Sequence, residues 1–65
     1  MQVFNVQGMT CGHCVKAVTR AVQEKDAAAQ VEVDLAARQV RVRSVLEAPQ
    51  LLAAIREEGY EAQVA

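Results

Sequence analysis

Val31-Glu32-Val33-Asp34-Leu35-Ala36-Ala37-Arg38-Gln39-Val40-Arg41-Val42-Arg43 alternates valine with charge on both sides of a short neutral centre. Alternation of this kind predicts two half-buried strands with Val31, Val33, Val40 and Val42 facing inward. A turn near Leu35-Ala36-Ala37-Arg38 joins them. As a hairpin, the pair puts Glu32 and Asp34 on the same outer face as Arg41 and Arg43, where opposite charges across strands are favourable. The turn contains no Gly or Asn, the residues that most readily take positive φ, so it does not fix the register by itself.

Upstream of the hairpin, Gln2 to Gln7 alternates polar and apolar residues, with Phe4 and Val6 on one face, and reads as a strand. Gly8 to His13 reads as a loop. From about Cys14 to Lys25, Val15, Val18, Ala21 and Val22 recur at helical spacing, while Lys16, Thr19, Arg20 and Gln23 form the solvated stripe. Asp26-Ala27-Ala28-Ala29 either extends this helix or links it to the hairpin. Downstream, Pro49 suits the first turn of a second helix. Leu51, Leu52 and Ile55 supply its buried stripe, and Gly59 is a natural left-handed stop. Tyr60-Glu61-Ala62-Gln63-Val64 closes as a short fourth strand.

The order is therefore strand, helix, strand, strand, helix, strand. Right-handed crossovers then place both helices on one face of a four-stranded antiparallel sheet. This is an α+β class, the ferredoxin-like βαββαβ sandwich. Phe4, Val18, Val31, Val33, Val42, Leu51 and Ile55 are the expected core. The loop around Gly8–His13 and the entry to the fourth strand fall at the same end of the sheet.

With 65 residues, the chain is read as one domain, 1–65. Hydrophobic residues make up 52% but aromatics only 3%, so the core is aliphatic and thin. A net charge of −1 provides no global field for nucleic acid or an anionic membrane. The outer sheet face carries Asn5, Glu32, Asp34, Gln39, Arg41 and Arg43, without the aromatics that single-stranded RNA stacks on. No nucleic-acid partner is expected. No run approaches the ~20 apolar residues of a membrane span, and the first residues do not resemble a signal peptide. A cytoplasmic location without membrane insertion is the expectation, and thiols stay reduced there.

The chemistry concentrates in Gly8-Met9-Thr10-Cys11-Gly12-His13-Cys14, which holds both cysteines and the only histidine. Thiolates two residues apart can close a chelate ring on one soft ion. Cys14 at a helix start, with Lys16 close by, sits where negative charge is favoured. Soft thiolates select soft ions such as Cu(I), whereas structural zinc takes four ligands. Two sulfurs satisfy two-coordinate Cu(I) and leave positions open for an incoming thiolate. A lone CxxC is shared with zinc ribbons and thioredoxin-like enzymes. The ribbon lacks its second cysteine pair here. The thioredoxin reading is weakened by the absence of Trp and by the placement of Pro49. A thiol-disulfide redox protein nonetheless stays as the alternative from another class, and a carrier of Hg, Zn or Cd as a third. His13 is either a solvated residue or an auxiliary ligand. Met9 reads better as a thioether plug in the core than as a ligand. Lys16 and Arg20 either steer an acidic partner or are ordinary surface charge.

The same stretch resembles the GMTCxxC loop of the heavy-metal-associated domain family, and within it the CopZ-type bacterial copper chaperones. The likeness extends to Gly59-Tyr60-Glu61-Ala62. It implies a carrier rather than an enzyme, with Cu(I) held by Cys11 and Cys14. The ion would pass by ligand exchange to the metal-binding domain of a copper-transporting P-type ATPase. The resemblance further implies that Met9 packs beneath the loop and that Tyr60 faces the site from the neighbouring loop. Copper-dependent self-association, with His13 assisting, is the remaining partner expectation.

Overall fold

The computed structural model describes residues 1–9 and 12–65. Six elements follow one another: β1 (Gln2–Gln7), α1 (Gly12–Lys25), β2 (Gln30–Asp34), β3 (Gln39–Arg43), α2 (Ala48–Glu57) and β4 (Glu61–Val64). The sheet order is β2-β3-β1-β4, and every paired neighbour is antiparallel. Each helix therefore crosses over one strand to reach the next, and the expected ferredoxin-like βαββαβ arrangement is the observed one.

One face of the sheet makes the core. Phe4 and Val6 from β1, Val40 and Val42 from β3, and Ala62 from β4 meet Val18 and Val22 of α1 and Leu51 and Ile55 of α2. All of these except Ala62 are completely excluded from solvent. The opposite face is polar, with Glu32 directly across from Arg41 and Asn5 across from Gln39.

Val31 and Val33 differ from the expectation, being only half-buried at the margin of the core. Their strand is an edge strand, so one flank has no neighbour to cover it. Val15 and Leu52 are likewise half-buried rather than buried, while Ala54 takes a core position on α2.

The hairpin turn solves its missing glycine with two devices. Arg38 adopts a left-handed conformation at φ 57°, and Asp34 Oδ1 accepts the Ala37 N–H at 3.0 Å. The Arg38 carbonyl then accepts the Val6 N–H at 2.9 Å, carrying the β1–β3 ladder into the turn. The register is thus fixed by the Asp34 side chain and by β1, not by turn composition alone.

Asp26-Ala27-Ala28-Ala29 is a turn and does not extend α1. Asp26 is the reason. Its Oδ1 accepts the Ala28 N–H at 3.1 Å, and its Oδ2 accepts the Ser44 hydroxyl at 2.6 Å. Ser44 Oγ in turn accepts the Leu46 N–H at 3.1 Å, so one carboxylate ties the α1–β2 turn to the β3–α2 connection. The Ser44 hydroxyl, and after it the Ala28 N–H, hold the Asp26 carboxyl below its ordinary value of 3.8. A carboxyl lowered on folding stabilises the protein above its ordinary value and loses that contribution as pH falls through the folded one. Asp26→Asn is therefore expected to unfold at lower urea concentration than wild type at pH 7, with the gap narrowing at pH 3. An equal gap at both pH values, measured by urea titration, would show that the charge is not involved.

The second helix follows its sequence signals. The Glu47 N–H donates to Gln50 Oε1 at 3.0 Å and Pro49 lies in the first turn. At the other end Gly59 takes φ 92°, and its N–H donates to the Arg56 carbonyl at 2.9 Å. β4 begins at Glu61, so Tyr60 precedes the strand instead of opening it. The left-handed Gly59 turns the chain so that Tyr60 packs inward before pairing begins. Phe4 stands opposite Val64, and the Ala65 N–H donates to the Val3 carbonyl at 3.0 Å. Both chain ends accordingly lie at the pole of the sheet opposite the β1–α1 connection.

Candidate metal-binding loop

Three connections gather at the pole where β1 ends: the segment from Gly8 into α1, the Leu35–Arg38 turn, and the Gly59–Tyr60 entry to β4. This follows from the pairing, since Gln7 lies opposite Glu61 and β2 runs parallel to β1. Of the residues singled out in the sequence, Gly8, Met9, His13, Cys14 and Tyr60 are described. Thr10 and Cys11 lie outside the described residues.

Met9 is 8% exposed and belongs to the core cluster. A flexible thioether fills part of the core, and the interior anchors the chain just before the cysteine motif. α1 begins at Gly12, two residues earlier than its apolar periodicity indicates, because Gly12 and His13 contribute nothing to the buried stripe. His13 is thus in the first helical turn and not in the loop. It is exposed and lines a shallow surface hollow with Lys16, Ala17 and Arg20. These four residues share one helical face by their spacing.

Cys14 occupies a different side of the same turn. It is half-buried, packs against the core cluster, and its Sγ stands 4.0 Å from the Gly8 carbonyl. The first turn of a helix leaves N–H groups without intrahelical partners, and the macrodipole favours negative charge there. α1 carries no acidic residue in that turn to oppose it. The local field accordingly suits a thiolate.

Tyr60 stands beside Gly8. Gly8 has φ 95°, and a methyl group at its Cα would lie 3.4 Å from Tyr60 Cδ1. The ring therefore rests against the segment that leads into the cysteine motif. Among the described residues, no three His, Cys, Asp or Glu side chains gather as a metal site, and no helix is long and apolar enough to cross a membrane.

Residues 3–61 match the heavy-metal-associated domain. The chain belongs to that family. A copper chaperone CopZ of Staphylococcus aureus is 38% identical over 63 residues, covering 92% of this chain and 93% of its own. The solved copper chaperone Atx1 from Synechocystis, in its Cu2 form, superposes with a TM-score of 0.93 at 40% identity. That alignment covers 97% of this chain and all of the other. A structure described as a gold binding protein aligns over the whole of both chains, with a TM-score of 0.93 and 34% identity. As a heavy-metal-associated domain, the chain shares its fold with copper carriers over nearly its full length. Sequence reasoning missed Arg56 at this pole. Its guanidinium donates to the Ala62 carbonyl from Nε at 3.2 Å and from Nη2 at 2.7 Å.

Proposed function

We propose that the chain is a cytoplasmic copper chaperone that carries one Cu(I) between the thiolates of Cys11 and Cys14. The ion is cargo, and the protein transfers it without catalysing a reaction. The observation that carries this reading is the full-length likeness to copper chaperones combined with the placement of Cys14. A half-buried thiol in the first turn of α1 has a supportive field on one side and the core on the other. Two sulfurs suit Cu(I) and leave room for a third to attack. Ligand exchange with the metal-binding domain of a copper-transporting P-type ATPase then moves the ion through shared thiolates, with no free copper released. Met9 shapes the floor of the loop and Tyr60 its flank.

Anaerobic titration tests the reading. One Cu(I) per monomer should bind with loss of two titratable thiols. Rapid disulfide turnover without Cu(I) uptake would instead support the redox alternative. The whole-chain likeness to a gold binding protein favours a second reading, a carrier of another soft ion. Competition between Cu(I) and Au(I) for the apo-protein separates the two: preference for gold at equal concentration overturns copper as the cargo.

His13 modulates this site in our reading rather than forming it, because its neighbours are the exposed Lys16 and Arg20. His13→Ala is expected to change monomer affinity by less than about tenfold, or ~1.4 kcal/mol. It should alter copper-dependent self-association more, because extra ligands are recruited when two molecules meet around copper. Chelator competition measures the first effect and sedimentation with and without copper the second. A hundredfold loss of monomer affinity would make His13 a primary ligand.

A further inference from the structure

The only tyrosine of the chain lies beside Gly8, ahead of the cysteine motif, and a side chain of α2 bonds the strand that follows it. Val6 sends its N–H to Arg38 on the β3 side. The Val6–Ala62 pair is therefore not hydrogen-bonded across β1 and β4, and the Ala62 carbonyl faces the open edge of the sheet. That acceptor is taken by Arg56, whose Nε and Nη2 both donate to it in a partly buried contact. The Arg56 carbonyl meanwhile accepts the Gly59 N–H. One residue thus fastens both sides of the turn that presents Tyr60, through its main chain before the ring and its side chain after it. The Tyr60 ring stands beside Gly8, and Cys14 Sγ lies 4.0 Å from the Gly8 carbonyl.

We propose that Arg56 is a positioning residue for the metal loop: by pinning Ala62 it keeps the Tyr60 ring against Gly8 and so lengthens the lifetime of the bound ion. The lifetime part rests on the copper-carrier reading, while the positioning part does not. A guanidinium suits the task because its planar fork offers two adjacent donors to one carbonyl. Lysine offers a single flexible ammonium.

The chain contains no tryptophan and one tyrosine, so emission excited in the tyrosine band, which Phe4 does not absorb, comes from Tyr60 alone. This allows the ring to be followed without metal. In Arg56→Ala, acrylamide quenching of apo-protein emission should increase. Cu(I) release to a competing chelator should quicken by about tenfold, the low end of what outer partners of a metal site contribute. Arg56→Lys, which keeps charge and stem, should fall between the two and covers the case in which alanine is not tolerated. In a Tyr60→Ala background, Arg56→Ala should no longer change the release rate. Unchanged quenching in both Arg56 variants overturns the positioning role. An undiminished effect on release in the Tyr60→Ala background overturns its route through Tyr60. Failure of the wild type to take up Cu(I) would sink the carrier reading and leave the quenching result to stand separately.

Discussion

Cys14→Ser yields a folded protein whose hold on Cu(I) is weaker by at least about a thousandfold, roughly 4 kcal/mol. The oxygen of serine is hard and stays protonated at neutral pH, so it replaces neither the softness nor the charge of a thiolate. The remaining sulfur at Cys11 cannot close a chelate ring alone. The fold survives because Cys14 only borders the core, whereas Val18 and Val22 further along α1 are fully buried. Cys11→Ser should lose affinity to a similar extent. Competition against a chromophoric Cu(I) chelator, with circular dichroism as the control for folding, measures both. Wild-type affinity in either variant would exclude the two-thiolate site.

Phe4→Ala should have the largest effect on stability. Phe4 is the only phenylalanine, is 0% exposed, and lies between Val40 on β3 and Val64 on β4. Truncating a buried phenylalanine costs about 3–5 kcal/mol through lost transfer energy and the cavity left behind. A domain of this size has only about 3–10 kcal/mol in total. Much of the population is therefore expected to unfold at moderate temperature, with a urea midpoint far below that of wild type. A loss under about 1 kcal/mol would mean that the aliphatic neighbours collapse into the space, and that the core is more plastic than its close contacts indicate.

The parts of this fold that local chemistry dictates were readable from the sequence. Valine–charge alternation marked β2 and β3, and the 3.6-residue spacing of Val15, Val18 and Val22 marked α1. Gly59 announced the end of α2, because few other residues take positive φ there without strain. Legibility failed where an outcome depends on residues distant in sequence. Periodicity in Val31 and Val33 gives the inward face but not the strand order, and the edge position left both half-exposed. The start of α1 was misplaced because Gly12 and His13 carry no apolar signal. The Asp26–Ser44 bond spans 18 residues between two turns, and nothing in either segment points to the other. The candidate site divides in the same way. Its proposed ligands lie in one contiguous motif whose chemistry shows in the residue types, so Cys11, His13 and Cys14 stood out. Arg56 did not, since an arginine in the last turn of a helix ordinarily reads as a charge complementing the helix dipole.

The pairing of Phe4 with Val64, and of Ala65 with Val3, has a practical consequence for how such a unit is joined to other chains. Polypeptide ahead of Met1 or beyond Ala65 emerges from the pole away from Gly8 and Cys14. Beads strung through these two points would all present their loops outward from a common thread. An affinity tag, a fluorescent partner or a second copy can be fused at either end and leave the approach to Cys14 open. By the same geometry, a tether that delivers one bead to another must be long enough to wrap around the sheet, about half the girth of a body 27 × 21 × 18 Å.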